Sequence, residues 1–225
     1  INILDNRGRP TWPERFSKKV CDDMIFALGT HLSQREYFNN PQKPGVVFKR
    51  EWIQYKKLPP LKYYKYLVAY LDPSFSAKKH ADHKAWILLG IHKGEVHVIK
   101  AFCDVATIPE MVNWGFELDQ YIKGRNGAAQ FYMEEVFLQS FLYKDFEAGG
   151  KEIGYSLPLR GDTRKKPDKD ARIMAQSGDF ERGNVFFNQA EQSNHHMQHL
   201  VEQFLMFNMG NTKIKKDGPD AYEGG

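Results

Sequence analysis

Four acidic residues stand at the ends of regular segments, and together they could act on a phosphodiester. Asp72 and Glu134 each follow an apolar run, and Asp217 and Asp220 lie three positions apart near the end of the chain. Clustered carboxylates repel one another, so such a cluster favours a divalent cation, a hard ion that takes oxygen ligands. Two such ions about 4 Å apart clamp a phosphodiester, one activating water and the other stabilising the leaving oxygen.

Each of these acids also has a purely structural explanation. Asp72 could open a turn before Pro73, and Glu134 could face solvent at the start of a helix. Asp217 could be an N-cap, and Asp220 could complement the helix dipole in the first turn. Their joint placement favours the other interpretation, so we predict that Asp72, Glu134, Asp217 and Asp220 bind metal and are catalytic.

The apolar patterns predict the elements that must position these acids. Strands are expected over residues 66–72, 85–92, 95–102, 128–134 and 153–157, with a shorter strand at 185–187. Helices are expected over 107–123, where a capping box begins the helix, then over 136–146, 168–175 and 193–207, and from 217 onward. The Gly149-Gly150 pair is expected to close the second of these helices.

This element order predicts the fold class. Three meandering strands followed by two crossover units give an α/β, ribonuclease H-like five-stranded mixed sheet with helices on both faces. In that arrangement the fourth strand lies beside the first, so Asp72 and Glu134 converge. Residues 1–60 are rich in proline and are expected to form a helical arm or linker, with a helix over about 14–28. The domain proper is expected over 61–225.

Composition excludes several classes of protein. The 225 residues carry a net charge of +4, and 41% are hydrophobic, which excludes a chain disordered throughout. No apolar run reaches about 18 residues, so we expect no membrane partner. Two cysteines cannot build a disulfide framework, which favours a reducing compartment. No secretory leader and no phosphate-binding loop are recognisable, and the chain is expected to be a piece of a longer protein.

Two further groups of residues could bind ligands. Basic side chains outnumber acidic ones over 160–172; composition alone favours a solvated loop, and the alternative is contact with the DNA backbone through Arg164, Lys165, Lys166, Lys169 and Arg172. His195, His196 and His199 contain an i, i+4 pair, but no HExxH pattern is present. A polar helix face is therefore favoured over a zinc site.

Several segments resemble one family, the C-terminal nuclease domain of the large terminase subunit of tailed bacteriophages and prophages. The most specific is Asp-Gly-Pro-Asp-Ala at 217–221. The other similar segments are 34–41, 47–49, 70–74, 132–139 and 166–173. The resemblance covers nearly the whole chain.

The resemblance implies a metal-dependent endonuclease that cuts concatemeric double-stranded DNA during packaging in the bacterial cytoplasm. Asp72 would bridge two Mg²⁺ or Mn²⁺ ions, Glu134 would hold one, and Asp217 with Asp220 would complete the set. Glu134 is preferred to Glu135 because it directly follows the apolar strand. The implied partners are an N-terminal ATPase domain of the same protein, the small terminase subunit and the portal protein.

Two alternatives remain open from the residues. One is another nuclease on the same fold, such as a Holliday-junction resolvase, which the spacing of the acids does not exclude. The other is a non-catalytic DNA-binding or docking module. Four converging carboxylates favour an enzyme, because a module without catalysis has no physical need for them.

Overall fold

The structure is a computed structural model that describes residues 2–5, 7–25, 37–38, 47–74, 82–134, 139–210 and 214–225. The strands are β1 (Gln54–Lys56), β2 (Tyr66–Asp72), β3 (Asp82–His92), β4 (Glu95–Ala106), β5 (Gln130–Glu134), β6 (Leu159–Asp162) and β7 (Val185–Asn188). The helices are α1 at 18–25, α2 (Ile108–Lys123), α3 (Gln139–Ile153), α4 (Lys169–Ala175), α5 (Ser177–Glu181), α6 (His195–Met206) and α7 (Asp217–Gly224). Among these described helices, none is both long and apolar enough to span a bilayer.

One mixed sheet organises the chain, in the order β1-β7-β4-β3-β2-β5-β6. Its centre is the predicted meander: β2 and β4 each pair antiparallel with β3. As predicted, β5 pairs in parallel with β2, and β6 then pairs in parallel with β5. The α/β ribonuclease H-like class is thus confirmed, and the sheet is wider than the expected five strands because β7 and β1 extend it beyond β4.

The predicted position of the strand that pairs with β5 is wrong. Residues 153–157 lie at the end of α3 and in the turn after it, and the strand is β6, over Leu159–Asp162. Gly149 and Gly150 do not close α3 but lie inside it, and a Cβ at Gly149 would lie 2.8 Å from Val112 Cγ1, so this glycine permits a close approach to α2. The helix ends at Ile153, and the next residue, Gly154, has a φ of +91°, which favours glycine.

Both faces of the sheet are covered by apolar side chains. On one face α2 and α3 pack on β2, β3 and β5, with the buried Trp86 donating its indole N–H to the carbonyl of Met111 at 3.1 Å. The predicted capping box of α2 is present, since Thr107 accepts from the backbone of Glu110 and the Glu110 carboxylate accepts from that of Thr107. On the other face α6 and α7 pack on β3 and β4.

The segment from residue 47 onward packs on this second face. Phe48 is 2% exposed and meets the rings of Phe180 and Phe204 edge to face, each at a centroid distance of 4.9 Å. A few residues later, β1 pairs with β7 at the edge of the sheet. The helix predicted at about 14–28 is present at 18–25, and residues 26–28 lie outside the described part of the chain. The boundary at residue 60 remains a prediction.

Phe48→Ala tests whether this segment belongs to the cooperative unit. We expect the free energy of unfolding to fall by about 3–5 kcal/mol, because a buried ring leaves a cavity among other rings. Phe141→Ala is the matched control, since its side chain is 61% exposed, and it should change stability by no more than about 0.5 kcal/mol. Urea unfolding measures both. A similar small change in both variants would place residues before 60 outside the folding unit.

Candidate functional site

Acidic side chains from three neighbouring strands meet at one end of the sheet. Asp72, Glu134 and Asp162 are the last residues of β2, β5 and β6, and Glu134 is in register with Asp162. Because these neighbouring strands run parallel, their carboxyl ends lie at the same end of the sheet. The first turn of α7 adds Asp217 and Asp220. Carboxylate oxygens of Asp72, Glu134 and Asp220 lie within 4.8 Å of one another.

The start of α7 is held in place by close packing on α6. A Cβ at Gly218 would lie 2.7 Å from Leu200 Cδ1, so glycine is needed for this approach. The backbone N–H of Gly218 donates to Gln203 Oε1 at 2.9 Å. These contacts fix the helix terminus that carries Asp217 and Asp220, which explains why this Asp-Gly-Pro-Asp segment can aim two acids at the ends of the strands.

Burial makes the carboxylate cluster electrostatically costly. Asp72 and Asp220 are each 2% exposed. Burial raises the pKa of Asp72 to about 7; the Lys169 ammonium opposes this rise, and the carboxylates of Asp217, Asp220 and Glu134 add to it. Such a group of acids is stable in the ionised form only beside positive charge.

Two predicted DNA-binding residues supply that charge. Lys169 Nζ lies 2.8 Å from Asp220 Oδ2 and 3.1 Å from Asp72 Oδ2, and it is 4.0 Å from Asp217 Oδ1. Arg172 is buried and places Nη2 2.9 Å from Asp220 Oδ1 and 3.6 Å from Glu134 Oε1. Although burial opposes it, the acids around Lys169 raise the pKa of that ammonium, which stays charged. Both cations therefore face the cluster from α4.

The remaining predicted cations lie at the side of the cluster formed by β6. Lys166 Nζ is 3.3 Å from Glu134 Oε1 and 3.2 Å from Asp162 Oδ2. Arg164 holds Asp162 with two hydrogen bonds of 2.8 Å, from Nε and Nη2. Lys165 is exposed. Four of the five predicted DNA-binding residues thus contact acids at this end of the sheet.

Asp162 is a site residue that the sequence analysis missed. It is buried and accepts a 2.8 Å hydrogen bond from the hydroxyl of Tyr70. Burial alone would raise its pKa, but hydrogen bonds from Arg164, Tyr70 and Lys166 hold the pKa of Asp162 well below its usual range. It was missed because the strand was predicted at 153–157. The strand in the structure is β6, over Leu159–Asp162, and Asp162 ends it as Asp72 and Glu134 end β2 and β5.

Asp220 offers oxygen atoms that suit a divalent cation. Both of its carboxylate oxygens are buried, and neither accepts a well-directed hydrogen bond from the described residues, although cationic nitrogens lie 2.8 and 2.9 Å away. Buried acceptors of this kind normally have a partner. Closely spaced carboxylate oxygens are the donors that Mg²⁺ and Mn²⁺ prefer, so the residues present fit a divalent cation. Glu135, the alternative to Glu134, lies outside the described residues.

Comparison with known proteins identifies the fold. Neither a protein-family model nor a curated protein matches the sequence. The human cytomegalovirus terminase nuclease domain, Mn soaked and inhibitor bound, is 14% identical with a TM-score of 0.58, over 79% of this chain and 92% of that one. The large terminase of a thermophilic bacteriophage is 12% identical with a TM-score of 0.57, over 93% of this chain and 50% of that one. The P22 large terminase nuclease domain is 13% identical with a TM-score of 0.54, over 80% and 90%.

These likenesses confirm the resemblance seen in the sequence at the level of the fold. The chain has the ribonuclease H-like fold of terminase nuclease domains. At identities of 12–14%, the similarity extends to the backbone fold. The chemistry of the site depends on the side chains of this chain.

Lys169→Met tests whether the cluster depends on its internal cation. In buffer containing a chelator, we expect the free energy of unfolding to fall by about 1–3 kcal/mol, because buried acids lose a counter-charge. The expected loss of stability is smaller than that for breaking a fully buried ion pair, because the Lys169 side chain is 37% exposed. Lys165→Met is the matched control, expected to change stability by no more than about 0.5 kcal/mol. Equal urea midpoints for the two variants would show that the acids are neutralised by other means.

Proposed function

We propose that the chain is the metal-dependent endonuclease domain of a viral DNA-packaging terminase, cleaving concatemeric double-stranded DNA by a two-metal mechanism. The observation that carries the proposal is the convergence of Asp72, Glu134 and Asp220, whose oxygens lie within 4.8 Å of one another. This convergence occurs at the end of a sheet with the terminase nuclease fold. The fold alone is compatible with many functions, but a buried set of carboxylates favours those that use a divalent metal ion.

The cluster would hold Mg²⁺ or Mn²⁺. Asp72, Glu134 and Asp220 offer oxygens within 4.8 Å of one another. By family resemblance, Asp72 would serve both ions, Glu134 would hold one, and Asp217 with Asp220 would complete the ligand set. The cations, when bound, would polarise the phosphodiester and stabilise the charge that develops on its oxygens. The similar cytomegalovirus domain is a Mn-soaked structure, which supports this choice of metal.

The chain's own cations would complete the site around the ions. Lys169 and Arg172 now neutralise Asp220, and a nearby phosphate would offer them a second anionic partner. The Tyr70–Asp162–Arg164 hydrogen bonds would hold the basic segment against the end of β6. In this arrangement Asp162 is a positioning residue, because its oxygens are already engaged by donors from the protein.

The partners follow from the proposed function. Double-stranded DNA would contact Arg164, Lys165, Lys166, Lys169 and Arg172 through its backbone, without reading sequence. By family resemblance, an N-terminal ATPase domain of the same protein, the small terminase subunit and the portal protein would act with this domain in the bacterial cytoplasm.

Asp72→Asn is the decisive test of the nuclease. It keeps the shape of the side chain but removes a charge that metal binding requires, so cleavage of plasmid DNA in Mg²⁺ or Mn²⁺ should fall about a thousandfold or more. DNA binding should persist, because one repulsive carboxylate is gone. Glu134→Gln should lose cleavage similarly, whereas Glu147→Gln, an exposed acid on α3, should retain it. A chelator should stop the parent enzyme.

Equal cleavage by the parent and Asp72→Asn at millimolar Mn²⁺ would refute this site. The absence of cleavage by the parent in both metals, with DNA binding retained, would favour the non-catalytic module. These two outcomes are distinguished by the parent protein alone, before any variant is compared.

Lys165→Gln tests the DNA-binding segment. Lys165 is exposed, so its loss should remove one phosphate contact and flatten the log–log salt dependence of binding by about 0.9. The effect should be the same for duplexes of unrelated sequence. Lys144→Gln, an exposed lysine on α3, is the control and should leave the slope unchanged. Fluorescence anisotropy over a salt series measures both, and an unchanged slope for Lys165→Gln would make the segment a solvated loop.

A further inference from the structure

A second group of possible metal ligands lies outside the carboxylate cluster, where the first turns of α6 meet the end of β4. The histidine cluster consists of His195, His196 and His199 on α6 and Asp104 on β4. Three of its members, Asp104, His195 and His196, offer ligand atoms that all lie within 4.8 Å of one another. The proposed nuclease chemistry uses none of these side chains.

One oxygen of Asp104 faces two of the histidines. His199 Nδ1 lies 3.4 Å from Asp104 Oδ2, and His195 Nε2 lies 3.8 Å from the same atom. In a tetrahedral zinc site with ligand distances of about 2.0–2.1 Å, neighbouring ligand atoms are about 3.3 Å apart. The two distances from histidine nitrogens to Asp104 Oδ2 are therefore close to the separation that one such ion requires.

Hydrogen bonds with the backbone orient two of the ligands, Asp104 and His196. The other oxygen of Asp104, Oδ1, accepts the backbone N–H of Val105 at 2.7 Å, so Oδ2 is the atom presented to the histidines. His196 Nδ1 lies 3.3 Å from the backbone nitrogen and 3.4 Å from the carbonyl oxygen of Cys103, and donation to the carbonyl would leave Nε2 for a metal. Supporting hydrogen bonds of this kind orient ligands in protein metal sites.

The backbone that carries the histidines is also fixed. Asn194 caps α6 by accepting the backbone N–H of His196 at 2.9 Å. The His196 ring packs against Trp114 at a centroid distance of 5.0 Å and against Phe102 at 5.4 Å. His195, by contrast, has a side chain that is 63% exposed, so the cluster is open to ions from solvent.

The type of donor distinguishes this cluster from the one at the ends of β2 and β5. Imidazole nitrogens favour zinc and its neighbours among the transition metals, whereas all-carboxylate sites favour Mg²⁺ and Mn²⁺. Two histidines one helical turn apart, together with an acid from another element, are a common arrangement for zinc.

We propose that Asp104, His195, His196 and His199 bind one zinc-class divalent cation. The ion would join the amino end of α6 to the carboxyl end of β4. It would thereby stabilise the helix that also carries Gln203, the residue that holds the start of α7. The proposal is independent of the nuclease activity, since it concerns different residues and a different class of metal.

A Co²⁺ titration in millimolar Mg²⁺ tests the proposal, because Mg²⁺ competes for the carboxylates and leaves imidazoles free. We expect one equivalent of Co²⁺ to bind with the visible absorption of a tetrahedral site, and Zn²⁺ to displace it. His195→Gln and Asp104→Asn should each weaken Co²⁺ binding at least tenfold. His92→Gln, at the opposite end of the β3–β4 hairpin, is the matched control and should bind as the parent does.

A second measurement separates loss of metal from loss of folding. Without metal, the parent, His195→Gln and His92→Gln should unfold at similar temperatures, since His195 is largely exposed. Zn²⁺ should raise the unfolding temperature of the parent and His92→Gln but not of His195→Gln. A flat Co²⁺ titration of the parent would overturn the proposal, and so would equal affinity in the parent and His195→Gln. Either result would leave Asp104 as an ion-pair partner that fastens α6.

Discussion

The structure depends on one electrostatic constraint: several carboxylates are buried together at one end of the sheet. Asp72 and Asp220 are almost fully removed from solvent, and Glu134 and Asp217 lie beside them. In a low-dielectric surrounding, such charges are tolerated only with close positive partners. Lys169 is the nearest of these partners to three of the acids, so the basic segment and the acidic strand ends form one unit.

The architecture satisfies this constraint by bringing distant segments of the chain together. The crossover through α2 returns β5 beside β2, and the crossover through α3 returns β6 beside β5. Helices α2, α3 and α6 cover the apolar faces of the sheet. This close packing opposes any movement by which the acids at the end of the sheet could relieve their repulsion. The close approach at Gly218 then brings α7 to the same end. The packed core thereby holds the carboxylates in a fixed arrangement, which preorganises the anionic site.

The basic segment has two roles in the proposed enzyme: it neutralises the acids, and it would contact the phosphates of DNA. In the structure, Lys169 and Arg172 neutralise the acids. With metal bound, the same side chains would be available to the phosphates of a duplex, because the acids would have other positive partners. The histidine cluster lies near the amino end of α6 and uses softer donors, so two classes of metal could bind this domain without competing.

The sequence alone determined most of the regular elements and the positions of most acids. Apolar runs and the alternation of apolar residues predicted β2 through β5, and the capping box at Thr107 predicted the start of α2, because these signals are local. The order of the elements then predicted that Asp72 and Glu134 converge. Tertiary structure alone decided what was not local. Gly149 lies inside α3, where it packs closely on Val112 of α2, and the strand that follows this helix ends at Asp162, in register with Glu134.

The direction in which charged side chains point was likewise decided by packing. Composition described residues 160–172 as a basic loop, yet Lys169 and Arg172 face inward because buried acids from three other elements attract them. A run of basic residues carries no information about such partners, which are far away in the chain. The same holds for Asp104, whose meeting with the histidines of α6 depends on how that helix lies across the end of β4. Local pattern therefore specified the elements, and long-range packing specified the site.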